Sequence, residues 1–238
     1  MPRIAIRNPD RTVLIDDTYD NLVLHSKGSV FKKTPALGET YSRQFEVSIP
    51  MLGGRPPSIA IRCVSNDTTM HIMQSRIVGS NYVITILWEP VIPNGQDATL
   101  YWYAFYPVSK KSTGTGDVIL RNRSTGLVTF DSGLSYLRVK EVVSGTAART
   151  IAYPSDRVYA AMLMRVQYVV VTDNVYLEHV DAWRWYADWD IMGARWSGNN
   201  LTLKTIHLRQ VDEGMPGAGG GTWRRDGYSF LVLDVTDF

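Results

Sequence analysis

One strand plan is written twice along this chain, and that repetition limits the possible folds more than any other feature. Near the start, Ile4-Ala5-Ile6-Arg7-Asn8 leads to Val13-Leu14-Ile15-Asp16-Asp17 and then to Asn21-Leu22-Val23-Leu24. About 114 residues later, Val118-Ile119-Leu120-Arg121-Asn122 leads to Leu127-Val128-Thr129-Phe130-Asp131 and then to Tyr136-Leu137-Arg138-Val139. Both passages read as strand, Arg-Asn turn, strand ending in Asp, short loop, strand. The closing passages match as well. Gly79-Ser80-Asn81-Tyr82-Val83-Ile84 parallels Gly198-Asn199-Asn200-Leu201-Thr202-Leu203, and Tyr101 to Val108 parallels Tyr228 to Val235. Self-similarity in a fixed order points to duplication. The run Ser109-Lys110-Lys111-Ser112-Thr113-Gly114-Thr115-Gly116 has the polar, Gly/Ser/Thr character of a linker. The expected organisation is therefore two related domains, residues 1–110 and residues 111–238, the second an internal repeat of the first.

Period-2 patterning sets the class. Phe45, Val47 and Ile49 alternate with polar neighbours, as do Tyr82, Ile84, Ile86 and Trp88. Leu100 to Tyr106 and Leu201 to Leu208 are rich in the aromatic and β-branched types that suit a pleated surface. Turn chemistry separates them at Asn8-Pro9-Asp10, Gly53-Gly54-Arg55-Pro56-Pro57, Pro93-Asn94-Gly95 and Ser197-Gly198-Asn199-Asn200. No window joins a sustained helical apolar stripe to a capping signal. The expected fold is all-β: two tandem β-sandwich domains of jelly-roll-like character.

Composition removes several function classes. Net charge is +2, with eleven Lys/Arg against nine Asp/Glu in residues 1–110 and fourteen against fourteen thereafter, so neither half has the basic bias of a nucleic-acid binder. A single cysteine, Cys63, excludes an intramolecular disulfide framework and sites with several thiolates. Its place in Ile59-Ala60-Ile61-Arg62-Cys63-Val64 predicts a buried small hydrophobe. The beginning, Met1-Pro2-Arg3-Ile4-Ala5-Ile6-Arg7, lacks the apolar region of a signal peptide, and no run approaches a membrane span. Synthesis in the cytoplasm without membrane insertion is expected.

Catalytic signals are weak. Asp181, Asp188 and Asp190 lie beside tryptophans, as in some glycosidase clefts. On a strand, however, Asp181 and Asp188 fall on opposite faces, so the spacing makes no acid/base pair. His25, His71, His179 and His207 are far apart and begin no ligand motif, and Asp16, Asp17 and Asp20 do not match a calcium loop. There is no Gly-x-Ser-x-Gly elbow, and the run from Gly214 to Gly221 reads as a hairpin loop, with no Lys-Ser/Thr or helix start to follow it. The expectation is a non-enzyme with no catalytic residues, no metal and no cofactor.

Aromatic residues are the departure from the ordinary: 13 Tyr, 7 Trp and 6 Phe. Trp183-Arg184-Trp185-Tyr186-Ala187-Asp188-Trp189 and the glycine run occur only in the second copy, and differences between equivalent scaffolds are where distinct contacts reside. Trp183, Trp185, Tyr186, Trp189 and Trp223 are the candidate partner-binding residues. Three roles stay open for them: core packing, a protein interface, or stacking on a sugar ring.

The opening Ile6 to Leu22, with Leu14-Ile15-Asp16 and Tyr19-Asp20-Asn21-Leu22, resembles small tail proteins of siphophages and prophages, as does the phrase Gly126-Leu127-Val128-Thr129-Phe130-Asp131-Ser132. The likeness covers about a fifth of the chain and consists of turn chemistry. It implies a non-catalytic virion structural protein of a tail tip, baseplate or fibre, made in the host cytoplasm and located in the virion. It also implies neighbouring tail proteins as partners, a homo-oligomer (a trimer by analogy), and a host surface glycan or pilus as receptor. The second reading is a carbohydrate-binding, lectin-like receptor-recognition module. A glycan hydrolase using Asp188 or Asp190 stands a distant third.

Overall fold

The computed structural model describes residues 5–7, 13–16, 21–33, 44–65, 68–89, 97–111, 116–122, 124–177, 182–213 and 221–238. Of these, 5–7, 13–16, 110–111, 173–177, 182–186 and 208–213 are described as backbone only. The chain is all-β: the described residues form eighteen strands and one helical turn.

Each opening passage forms a two-stranded antiparallel hairpin. The first pairs β1 (Ala5–Arg7) with β2 (Val13–Asp16), and the second pairs β9 (Ile119–Arg121) with β10 (Val128–Asp131). Between the hairpins come β3 (Leu22–Lys32), β4 (Gln44–Pro50), β5 (Ser58–Val64), β6 (Thr69–Val78), β7 (Asn81–Glu89) and β8 (Ala98–Pro107). After the second hairpin come β11 (Arg138–Gly145), β12 (Arg149–Ala152), β13 (Tyr159–Arg165), β14 (Tyr168–Leu177), β15 (Ala182–Ser197), β16 (Asn200–Glu213), β17 (Gly221–Arg225) and β18 (Tyr228–Asp234).

Pairing arranges these strands in two facing rows. One runs β3-β8-β5-β13-β18-β11, the other β4-β7-β6-β15-β16-β12. Three strands of each row come from residues 22–107 and three from residues 138–234, in mirrored order about an antiparallel seam. The seams are narrow. β5 meets β13 at Ile61 and Ala161, and β6 meets β15 at Met70 and Ala194. A parallel bridge between Val64 and Trp196 ties the rows together, backed by the Ser65 N–H donating to the Trp196 carbonyl at 3.0 Å. The segment expected as a linker begins instead as one helical turn, α1 (Val108–Lys111), whose Val108 is buried with Val23 and Val128.

Two hairpin turns have the same construction. Gly79 (φ 58°) and Gly198 (φ 57°) each open a two-residue loop, the position where a type II′ turn requires positive φ. Each turn is clasped from outside: Met51 N–H donates to Ser80 O at 2.9 Å and Tyr153 N–H to Asn199 O at 3.0 Å.

Two apolar clusters lie between the rows. Ile49, Ile61, Cys63, Met70, Ile84, Ile86, Trp88 and Leu100 fill one, and Tyr159, Trp196, Leu201, Leu203, Phe230 and Val232 fill the other. Cys63 is 1 % exposed, and burial pushes its thiol pKa up to about 12, which keeps it protonated and inert. Alternation undercounts the burial. On β5 and β7 both faces are covered: Ala60 joins a further cluster with Tyr103, Phe105 and Leu233, and Leu87 joins another with Ile191 and Ile206.

At Ile191/Met192 strand β15 changes neighbours. Ala182 to Ile191 pair with β14, whereas Ala194 meets β6, which bends away through a bulge between Ile72 and Gln74. Gly193 occupies this handover. A Cβ there would lie 2.6 Å from Ile206 Cδ1 and 2.7 Å from Thr69 Cγ2, so a larger residue would have to displace these two side-chain ends.

Arg62 crosses the seam in the interior. Its Nη1 donates to Tyr159 O at 2.7 Å and its Nη2 to Gly198 O at 2.8 Å, while the guanidinium lies 5.0 Å from the Trp196 ring centroid. Burial lowers its pKa below the usual arginine value, but the group remains charged. Replacing Arg62 by Met leaves two seam carbonyls without their donors. A destabilisation of about 3 kcal/mol is expected, read as a lower urea midpoint at unchanged m-value. An unchanged midpoint would show that the seam does not depend on this side chain.

His71 on β6 is 4 % exposed, and burial lowers its pKa to about 4 against the hydrogen bond to Met192 backbone, which acts to raise it. In the unfolded chain the imidazole takes its proton near pH 6.5, so between pH 6.5 and 4 the unfolded state binds more protons. Stability is then complete above pH 6.5 and falls on acidification through that window, by about 3 kcal/mol in all. Denaturation of His71→Leu should show that much less acid dependence over this window than the wild type. Parallel pH profiles would refute a buried neutral imidazole.

Candidate binding face

Beyond the handover, β17, β14, β15 and β16 continue as a four-stranded extension with no counterpart among the described strands of residues 22–107. Its register settles which aromatic residues come together. Val170 of β14 pairs with Trp189 of β15 on one side and with Trp223 of β17 on the other. The two tryptophans thus stand on one sheet face, two strand spacings apart, or roughly 10 Å. Tyr168 and Thr172 share that face on β14, and Ala187 shares it on β15. These six residues line a concavity of about 400 Å³.

Each wall has a local cause. Trp189 is half-buried and, with Tyr168, packs on the Leu87, Ile191 and Ile206 cluster, which holds the inner end of the face. Trp223 is 56 % exposed. Its strand is anchored where Gly221 N–H donates to Thr172 Oγ1 at 3.1 Å. Val170 and Ala187 are buried and small, so the floor between the indoles stays low.

Of the five residues expected to bind a partner, Trp189 and Trp223 are brought together. Trp183, Trp185 and Tyr186 occupy positions opposite Tyr176, Asn174 and Asp173 of β14, and their side chains lie outside the described residues. Trp196 goes to the core, 0 % exposed and stacked on Tyr159 at 6.3 Å and 12°. Tyr168, Val170 and Thr172 were not singled out from the sequence. Their alternation in Tyr168-Val169-Val170-Val171-Thr172 is an ordinary strand signal that does not reveal which tryptophans flank it.

The opposite face of the extension is ionic. His207 Nδ1 lies 2.8 Å from Asp190 Oδ1, and its Nε2 lies 3.8 Å from Asp188 Oδ1. Both carboxylates approach one imidazole on an open face, so they do not flank a space for a scissile bond. Among the described residues, no three His, Cys, Asp or Glu side chains are grouped to hold a metal, and no helix is long and apolar enough to cross a membrane. A second, apolar concavity of about 450 Å³ opens where β5 and β13 diverge from their contact, lined in part by Ile59, Tyr82, Met162 and Met164.

Compared with protein-family models, curated proteins and solved structures, the chain matches none.

The two classes of tryptophan should separate on substitution. Trp223→Ala is expected to change unfolding free energy by less than about 0.5 kcal/mol, and Trp196→Ala to cost about 4 kcal/mol. Equal costs in chemical denaturation would mean that Trp223 is covered rather than displayed.

Proposed function

We propose that this chain is a non-catalytic structural component of a bacteriophage virion, in the tail tip, baseplate or fibre, serving tail assembly or host attachment. Its working parts are shape and aromatic contact. The observation that carries the reading is the displayed Trp189–Trp223 face, built on an extension with no counterpart among the described strands of the other set. A scaffold with an added, rigid, ring-bearing face is suited to holding a partner. The resemblance of the two opening passages to tail proteins supplies the setting.

Within this proposal the chain is a duplication, with sandwich units 1–110 and 111–238. The pairing plans support it: β3-β8-β5 with β4-β7-β6 corresponds strand for strand to β11-β18-β13 with β12-β16-β15. Partners would be neighbouring tail proteins and further copies of the chain, with a trimer expected by analogy with cyclic tail assemblies.

The second reading, a carbohydrate-binding module for receptor recognition, is favoured by the spacing of the two indoles about a low floor. Indole rings stack on the C–H face of a pyranose, and protein interfaces use the same residues.

The test is to purify intact particles and tails and locate the chain by mass spectrometry and electron microscopy. It is expected in the tail fraction, at several copies per particle. Its absence from particles would remove the virion reading, leaving the carbohydrate-binding one to stand on its own.

A further inference from the structure

We propose that the slot between Trp189 and Trp223 binds an acidic saccharide, a pyranose ring stacked between the indoles with its carboxylate held by Arg225. This deepens the attachment reading above by naming a class of receptor, and it rests on that reading only for its biological setting.

The argument begins with the register. Arg225 pairs with Tyr168, two residues along from the Trp223–Val170 pair, so Arg225, Trp223, Val170 and Tyr168 share one face. Arg225 is exposed and, among the described residues, has no ion-pair or hydrogen-bond partner. Its neighbour Arg224, on the other face, is neutralised by Asp226 at 2.5 Å. The only carboxylates beside the slot on β15, Asp188 and Asp190, are turned to the far face and engaged with His207. The described positions of the slot face on β14, β15 and β17 include no Asp or Glu, and Asp212 of β16, which shares that face, pairs with Trp185 six residues along from the Ile191 level of Arg225. One end of an aromatic slot therefore carries an uncompensated positive charge.

Ligand chemistry follows from these parts. Indoles on both sides of a low floor favour a thin ring with apolar C–H faces. The volume of about 400 Å³ lies at the low end of small-ligand sites. A guanidinium at the end of the slot matches a planar carboxylate through two parallel hydrogen bonds. Tyr168, opposite Arg225 in the register, packs against the Leu87 cluster on the same side. A uronic or sialic acid unit meets all of these conditions. A neutral sugar leaves Arg225 unused, and an acidic peptide leaves the two indoles without a flat partner.

The test uses the whole chain and its intrinsic tryptophan fluorescence. Probes are oligogalacturonate, sialyllactose, the methyl ester of the oligogalacturonate, lactose, and a tri-glutamate peptide. The expectation is saturable binding of at least one acidic saccharide, with the corresponding neutral compound about tenfold weaker or worse. Arg225→Gln should lose about the same factor and most of the salt dependence, and Trp223→Ala should lose binding to acidic and neutral probes alike. Circular dichroism and thermal melting of both variants should match the wild type, since both positions are exposed. Equal affinity for acid and ester, an unaffected Arg225→Gln, or tri-glutamate binding as tight as the saccharide would each overturn the proposal. So would no response to any acidic saccharide; if the chain is nonetheless found in tails, the virion reading survives and the saccharide site does not.

Discussion

A buried guanidinium with no carboxylate beside it among the described residues holds the middle of this molecule. Arg62 leaves β5, crosses the seam, and spends its hydrogen bonds on two backbone carbonyls, Tyr159 at the start of β13 and Gly198 in the β15–β16 turn. Each carbonyl lies where a seam strand begins or reverses, where ladder pairing cannot satisfy it. The charge is offset by those carbonyl dipoles and by the Trp196 face, itself packed with Tyr153 and Tyr159. Since β5 and β13 share a single paired position, this side chain does for the seam what a continuous ladder does elsewhere.

That dependence shapes the rest. The two rows are tied together where Arg62, the Val64–Trp196 bridge and the Met70–Ala194 contact converge within a short distance along β5, β6 and β15. Away from the convergence the rows part, giving the apolar opening between β5 and β13 on one side and the β14–β17 extension on the other. Among the described residues no strand row faces the extension, and it divides its chemistry by face. Indoles and small apolar residues occupy one side, and a carboxylate–imidazole row occupies the other.

Much of the sandwich was legible in the sequence because period-2 patterning tracks a one-sided environment. Val47 and Ile49, and Ile84, Ile86 and Trp88, do fill the core as their alternation implies. Gly79 and Gly198 mark their turns because positive φ there excludes most other residues. What alternation cannot convey is which strand lies alongside. Arg62 looks like a polar position on a half-exposed strand, and its burial follows from Tyr159 and Gly198, nearly 100 and 136 positions away. The tryptophans divide by face. Trp189 and Trp196 lie on one strand but on opposite faces, seven residues apart in an unbroken register: Trp196 joins Met192 and Ala194 in the core between the rows, and Trp189 shares the other face with Ile191. Parity assigns a face, and only the tertiary pairing says whether the face is covered.

Gly193 carries a consequence for how this protein can diverge. The strands that flank it have many tolerant positions, because one β-former replaces another at small cost. At this position Ile206 Cδ1 and Thr69 Cγ2 already occupy the space of a methyl group, so a side chain there must displace them. Tolerance to substitution along β15 is thus expected to be uneven. The ring-bearing half of the strand can be rewritten without touching that contact, while a side chain at the crossing point must push aside Ile206 and Thr69. The aromatic face can vary because it takes no part in the tight contact at the joint.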